Sequence, residues 1–267
     1  MRRRINMTVG LLLVSMLFVL MLVSLFYTPY EPNAMRIADR LSGPSASHWL
    51  GTDNFGRDLL SRSMVGTQTA FLVGAASVAI GAAGGLLVGS LAGYAGKWAD
   101  ELLMRATDAL LAFPGILLAL LLVSVFRPSL LQTILAIGIL FVPSFARVVR
   151  SGVLQQREAD YVRAVRAFGA GHVNVLFVQI LPNIASSIIT TAALSFSTAI
   201  LIEAALSYLG LGVQPPDPSW GRMLNESQTY LSAAPWFTLA PGVLITISVL
   251  GFNLLSDGIR DARDVRA

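Results

Sequence analysis

The chain contains no cysteine. That absence removes disulfides, thiolate metal sites, iron–sulfur clusters and a cysteine nucleophile, and it leaves the redox compartment open. Histidine is almost missing too: His48 and His172 are the only two, far apart in sequence, so a histidine-based metal site is not expected. Charge is scarce. Asp, Glu, Lys and Arg make up 13% of the 267 residues, about half the roughly 25% of a soluble domain. Most of the surface therefore does not face water, and the mean hydropathy of +0.69 agrees. No Gly-x-x-x-x-Gly-Lys-Ser/Thr occurs; Gly96-Lys97 is followed by Trp98 and lacks the upstream glycine. Without that phosphate cradle the chain is not expected to hydrolyse ATP. Gly-x-Ser-x-Gly and His-Glu-x-x-His are absent as well, so no catalytic residue, cofactor or metal ligand is assigned.

What remains is apolar sequence in long runs. A membrane span needs about 20 apolar residues, and six candidates satisfy this: Ile5–Tyr30 and the stretches near 70–94, 109–126, 131–149, 184–202 and 236–255. The first follows Arg2, Arg3 and Arg4 as a signal peptide would. It is too long for a signal h-region and no A-x-A site follows, so it reads as a retained helix. The third and fourth form a hairpin through a tight link at Arg127–Ser129. The fold class is all-α, a polytopic bundle of about six transmembrane helices.

Six spans place both termini on one side. Eighteen of the nineteen basic residues are arginine, and they lie between the apolar runs. Thirteen fall on the side of the termini and six on the other, while the acids split eight to seven. The basic excess places both termini in the cytoplasm and favours membrane orientation over nucleic-acid binding.

Within the second span Gly81, Gly85, Gly89 and Gly93 recur every fourth residue, with Ser77 one step earlier. Such a stripe lets another backbone approach closely, either in a subunit or pore interface or inside this chain. Glu203 follows the uncharged fifth span; it either faces the translocation path or caps the helix end. Arg57 and Asp58, in the external loop 28–69, are either a solvated turn or a gate. Arg147 and Arg150 end the fourth span where lipid phosphate is the simple partner. A second external loop, 204–235, is stiffened by Pro215, Pro216, Pro218 and Pro235. Trp220 and Trp236 read there as interface anchors, and the loop as a rigid rim or a docking surface.

The longest cytoplasmic connection, 150–182, starts with an amphipathic pattern over 155–168, in which Tyr161, Val162, Val165 and Phe168 recur at helical spacing. Gly169 and Gly171 break it, and a second apolar stretch, 173–181, stops at Pro182. An exposed apolar helix face needs cover, from the lipid interface or from a groove on a soluble partner.

Here motif matching adds a reading. Arg163-Ala164-Val165, Gly169 and Leu181-Pro182 resemble the cytoplasmic loop motif of ABC importer permeases: Glu-Ala-Ala, three residues, Gly, nine residues, Ile, one residue, Leu-Pro. Arg163 stands in place of Glu, Val165 in place of the second Ala and Gln179 in place of Ile. His48–Asp53 with Gly56–Asp58, Arg105 and Asp108 with Ala112–Pro114, Arg157–Val162, Leu206–Gly212, Pro218–Gly221 and Phe252–Leu254 with Asp257-Gly258 are similar to the peptide and nickel branch of that family, in order along residues 48–264. The chain resembles its C-type permeases.

That resemblance implies a type I importer fold: an N-terminal helix and external loop over 1–69, and a core over 70–267 with the coupling loop 150–182. It implies that Arg163, Ala164, Val165, Arg166, Gly169, Ala170 and Gly171 dock into a separate ATPase subunit. The partners it implies are a homologous permease in a heterodimer, two ATPases and an extracytoplasmic substrate-binding protein, all at a bacterial inner membrane. Half a translocation path for di- or oligopeptides is the implied function, working by alternating access; import of nickel or a metal chelate is the alternative. A membrane enzyme is the remote one, and the absence of Asp and His from the spans argues against it.

Overall fold

The computed structural model describes residues 2–264, with side chains over 5–261. The side chains of Arg2–Arg4 and the whole of Arg266, like the side chain of Arg263, lie outside the described residues, although they enter the orientation count. The elements are α1 (Arg2–Phe26), α2 (Leu59–Ala95), α3 (Lys97–Leu111), α4 (Gly115–Phe126), α5 (Leu130–Arg157), α6 (Asp160–Ala167), α7 (His172–Tyr208), α8 (Trp220–Ser227) and α9 (Pro235–Asp264). Among the described residues there is no strand, only an isolated bridge between Thr52 and Asp58.

Five helices are long and apolar enough to cross a membrane: α1, α2, α5, α7 and α9. The third expected span behaves differently. It breaks at Ala112–Pro114 into α3 and α4, which meet at 87° and make a sixth span only if counted together. The cause is Pro114: proline disfavours helical geometry in the residue before it. Alone, the 12 residues of α4 reach about 18 Å, short of the roughly 30 Å hydrocarbon layer.

Capping fixes the other boundaries. Asp58 accepts from Ser61 N at 2.8 Å and starts α2, and Ser129 caps α5 by accepting from Gln132 N at 3.3 Å. The helix α2 therefore begins eleven residues before the expected span, and residue 70, the expected domain boundary, falls inside it. Pro182 does not stop the next helix. A π-helical segment over Val175–Ile180 precedes it, and that wider turn accommodates a residue without an N–H, so α7 runs on to Tyr208.

The pair α2 and α5 forms the centre of the bundle. The glycine stripe lies against α5 of the same chain: a Cβ on Gly81 would stand 2.5 Å from Phe141 Cβ, and one on Gly93 would stand 2.9 Å from Val153 Cβ. Gly85 and Gly89 would collide with Phe145 and with the Ala146 carbonyl. Ser77 Oγ donates across the same seam to Ile134 O at 3.1 Å. In lipid, such backbone proximity supplies the dispersion contact that replaces a hydrophobic drive. The helices α1 and α9 cross at Gly10, Gly251 and Gly258, and Phe71, Phe196 and Phe252 join α2, α7 and α9, with Phe196 stacked on Phe252 at 4.1 Å.

Candidate functional site

At one end of the bundle α2 terminates, α5 turns into α6, and α6 turns into α7. The connection 150–182 is mostly helical: Arg150–Arg157 finish α5 and His172–Pro182 open α7. The projecting part is a short elbow built on α6. It is held by Val162, which is fully buried in a cluster with Val149, Val153, Val175, Ile180 and Ile184. Tyr161 fastens it on the other side. Its hydroxyl donates to Gln156 Oε1 at 2.8 Å and accepts from Asn183 Nδ2 at 3.1 Å. Arg157 Nη1 donates to Gly93 O at 3.0 Å, tying the end of α5 to the end of α2. Arg166 lies over the Tyr94 ring at 5.3 Å, and Tyr94 Oη meets His172 Nδ1 at 2.7 Å.

The seven elbow residues are brought together on this projection. Arg163, Ala164 and Arg166 are exposed, and Val165 and Ala170 are half-buried. Gly169 adopts φ +86° and ends α6 as a left-handed cap, its N–H donating to Arg166 O at 2.9 Å. Nothing lies within 4 Å of a Cβ built on Gly169 or Gly171. The expected apolar face does not form as one surface. Helix α6 covers only Asp160–Ala167: Val162 turns inward from it, while Phe168, its C-cap and 92% exposed, stands at the tip. Val173, Phe177 and Val178 continue that exposed apolar surface along α7. Beside it Glu158 bonds to Arg163 and Arg157, each at 3.2 Å, and those hydrogen bonds hold its carboxyl below the usual carboxylate range.

The opposite end is built from charge. Arg57 and Asp58 do not form a solvated turn; both are buried. Asp53 accepts from Phe55 N at 2.8 Å, Arg57 N at 2.9 Å and Arg57 Nε at 2.5 Å. Arg57 Nη2 donates to Glu226 Oε2 on α8 at 2.8 Å. Arg62 stands 3.6 Å from both Asp53 and Glu226 and donates to Asn33 Oδ1 at 3.2 Å, while Arg222 Nε donates to Glu226 Oε1 at 3.1 Å. Asp58, besides capping α2, meets His48 Nδ1 at 2.9 Å. Arg62, Arg222 and Glu226 are absent from the sequence reading of this site. A signal was present for two of them, the i,i+4 spacing of Arg222 and Glu226; Arg62 pairs with Asp53 and Glu226, to which no such spacing points.

Two further expectations change. Trp220 is not an interface anchor: it is 1% exposed, and its Nε1 donates to Ser63 O at 3.1 Å. Glu203 does not cap a helix terminus. It is buried more than a turn before the end of α7 and accepts from Ser207 Oγ at 2.7 Å, with Ser219 as a second partner.

Comparison with known proteins places this architecture. The family model described as "binding-protein-dependent transport system inner membrane component" matches residues 85–266. The dipeptide transport system permease protein DppC of Alkalihalophilus pseudofirmus is 43% identical over 96% of this chain and 84% of its own length. The glutathione transport system permease protein GsiD of Pectobacterium atrosepticum is 42% identical over 93% and 84%. The di/tripeptide permease DppC of Pseudomonas aeruginosa is 42% identical over 96% and 86%. Among solved structures, the MetNI methionine ABC transporter, in inward-facing conformations, shares the fold with a TM-score of 0.59 at 18% identity, over 78% of this chain and 95% of that one. A helical bundle with five or six candidate spans, a glycine-capped elbow and this match along two thirds of its length belongs to the inner-membrane component family of binding-protein-dependent transport, as the multi-pass permease subunit of an ABC importer.

Proposed function

We propose that this chain forms one half of a translocation path for di- and oligopeptides, paired with a homologous permease in a heterodimer and driven by two ATPase subunits that grip the elbow at α6. The observation that carries the reading is the elbow itself: a short helix anchored by Val162 and Tyr161 that leaves Phe168 92% exposed at its tip and Gly169 with nothing within 4 Å of a built Cβ. Residues Arg163–Gly171 transmit ATPase closure to α5 and α7, which both start or end at the elbow, and the bundle alternates between outward and inward access. The peptide substrate is supported by the names of the relatives above, and a substrate-binding protein delivers it to the opposite end. Both termini lie in the cytoplasm; the gathering of Lys97, Arg105, Arg147, Arg150, Arg157, Arg163 and Arg166 at the elbow end supports this. The N-terminal helix with its loop is one unit and the rest, from α2 onward, is the core. Arg57 and Asp58 act as a fixed support for the outer loop, and Glu203 as a buried link between α7 and Ser219.

The test is Gly169→Pro in the reconstituted complex. Proline cannot adopt φ +86°, so dipeptide uptake is expected to fall to background while the complex still assembles. Normal uptake would refute the elbow's role. Labelled dipeptide and nickel, compared side by side, decide the cargo; nickel uptake alone would overturn the peptide reading.

A further inference from the structure

A cavity of about 520 Å³ opens between the last turns of α5 and the first half of α7, at the elbow end of the bundle, with α9 reaching it through Arg260. That volume lies in the range of small-molecule sites. Its wall is unusual for a membrane helix bundle. Ser151, Gln155, Thr190 and Thr191 line it together with Arg147 and Arg260, and no carboxylate is among the lining residues. Arg147 reaches away to Asp108 on α3 at 2.6 Å, and Arg260 makes no ion pair among the described residues. Polar side chains on spanning helices face a bundle interior or a water-filled space; Arg260 puts positive charge beside low-dielectric walls, which concentrates anions, and Arg147 adds what its pair with Asp108 leaves. The Thr190 and Thr191 hydroxyls donate to Ser186 O and Ser187 O, each at 2.9 Å, and so offer the cavity acceptors, while Gln155 adds an amide; these groups serve a peptide backbone without reading its side chains.

We propose that this cavity receives the terminal carboxylate of the transported peptide, with Arg260 and Arg147 holding the anion and Ser151 and Gln155 of α5 with the threonine hydroxyls of α7 bonding the adjacent peptide group. The inference rests on the peptide-import reading and adds a site to it. The cavity sits beside the elbow: Gln156, on its wall, is the residue that accepts from Tyr161 of α6. Movement of the elbow is thereby transmitted to the wall of the site.

The absence of cysteine from the chain provides the test. Thr191→Cys is introduced into the complete complex in lipid nanodiscs, and its labelling is followed by the mass of this subunit. Two water-soluble methanethiosulfonates are compared, one with a sulfonate and one with a trimethylammonium group. Relative to each reagent's rate with a free thiol, the sulfonate is expected to react about tenfold faster. The preference should vanish in Arg147→Gln/Arg260→Gln and return with Arg147→Lys/Arg260→Lys. Leu250→Cys, on the exposed face of α9, should stay unlabelled. During turnover with dipeptide, binding protein and ATP, labelling of Thr191→Cys should slow, whereas a dipeptide with an amidated C-terminus should not protect. Equal rates for the two reagents, or equal protection by both peptides, would overturn the site. Uptake by the same complex in proteoliposomes separates the two readings: no dipeptide uptake by the unsubstituted complex refutes peptide import, while uptake without charge preference or protection refutes only the cavity.

Discussion

Charge is used in opposite ways at the two ends of α2. Where the helix begins, Asp53, Arg57, Arg62 and Glu226 are buried together, with an exposure of 5% or less for the first three. Where it ends, Arg163 and Glu158 meet at 3.2 Å with side chains 64% and 62% exposed. The first arrangement is closed: its carboxylates are satisfied by groups from the loop, α2 and α8, and it leaves little for another molecule to bind. The second is open. Its Glu158 is shared by two arginines but stands in solvent, Phe168 is at its tip, and nothing lies within 4 Å of a Cβ built on its glycine cap. The difference teaches which end the chain completes by itself and which end it leaves for a partner.

Breaking the closed end should have the largest effect. Asp53→Ala would leave Arg57 and Arg62 buried with Glu226 as their one remaining shared carboxylate and cost about 3–5 kcal/mol. The unfolding temperature of the purified chain should drop, and the loop 27–58 should become protease-sensitive. Asp53→Asn, which keeps the hydrogen-bonding shape, should recover part of the loss. An unchanged melting profile for Asp53→Ala would mean that the cluster does not hold the loop.

Next in size is the α2–α5 seam that connects the two ends. Gly85→Leu would drive a side chain into Phe145, and overpacking of this kind costs about 1–3 kcal/mol or more. Gly242→Leu, where nothing lies within 4 Å, should cost far less. The comparison is read in yield and thermal stability. Equal losses would show that the close approach of Phe145 is not what requires glycine at residue 85, since leucine is the better helix former at both positions.

Much of this layout was legible from residue type and spacing. Five of the six apolar runs became long helices, and the four-residue glycine period located the closest helix contact, though not its partner. Gly169 was legible because a left-handed cap needs it. The broken third span was not: composition sums hydropathy over a window and does not register that Phe113-Pro114 turns the chain by 87°. Nor was the buried cluster. Its members are separated by up to 173 residues, from Asp53 to Glu226, and in sequence each resembles an ordinary loop charge. Phe168 was assigned to the covered face because the helical period was continued to its position, whereas α6 ends at Ala167 and Phe168 is its cap.

A smaller effect is expected at the open end. Phe168→Ala should leave the stability of the isolated chain unchanged, since the ring is 92% exposed. In the complex it should weaken ATPase binding by about 2 kcal/mol, roughly 30-fold, as loss of an aromatic anchor does. Surface plasmon resonance with the ATPase subunit measures it. A destabilised chain with unchanged ATPase affinity would reverse the assignment of the two ends.

The smallest effect is electrostatic, and it separates the ends most cleanly. Arg163, and then Arg157, hold the Glu158 carboxyl below its ordinary range. A depressed carboxylate contributes stability that is present above its unfolded-state pKa and is lost as pH falls through the folded-state value. Glu158→Gln should therefore melt slightly below the unsubstituted chain at neutral pH, and the two curves should converge in acid. Because this pair is solvated, salt at about 1 M, where the screening length is about 3 Å, should erase the difference at neutral pH as well. The Asp53 cluster, excluded from solvent, should retain its contribution under the same salt. A salt-resistant effect at Glu158, or a salt-sensitive one at Asp53, would reverse the contrast between an end closed within the chain and an end left open for a partner.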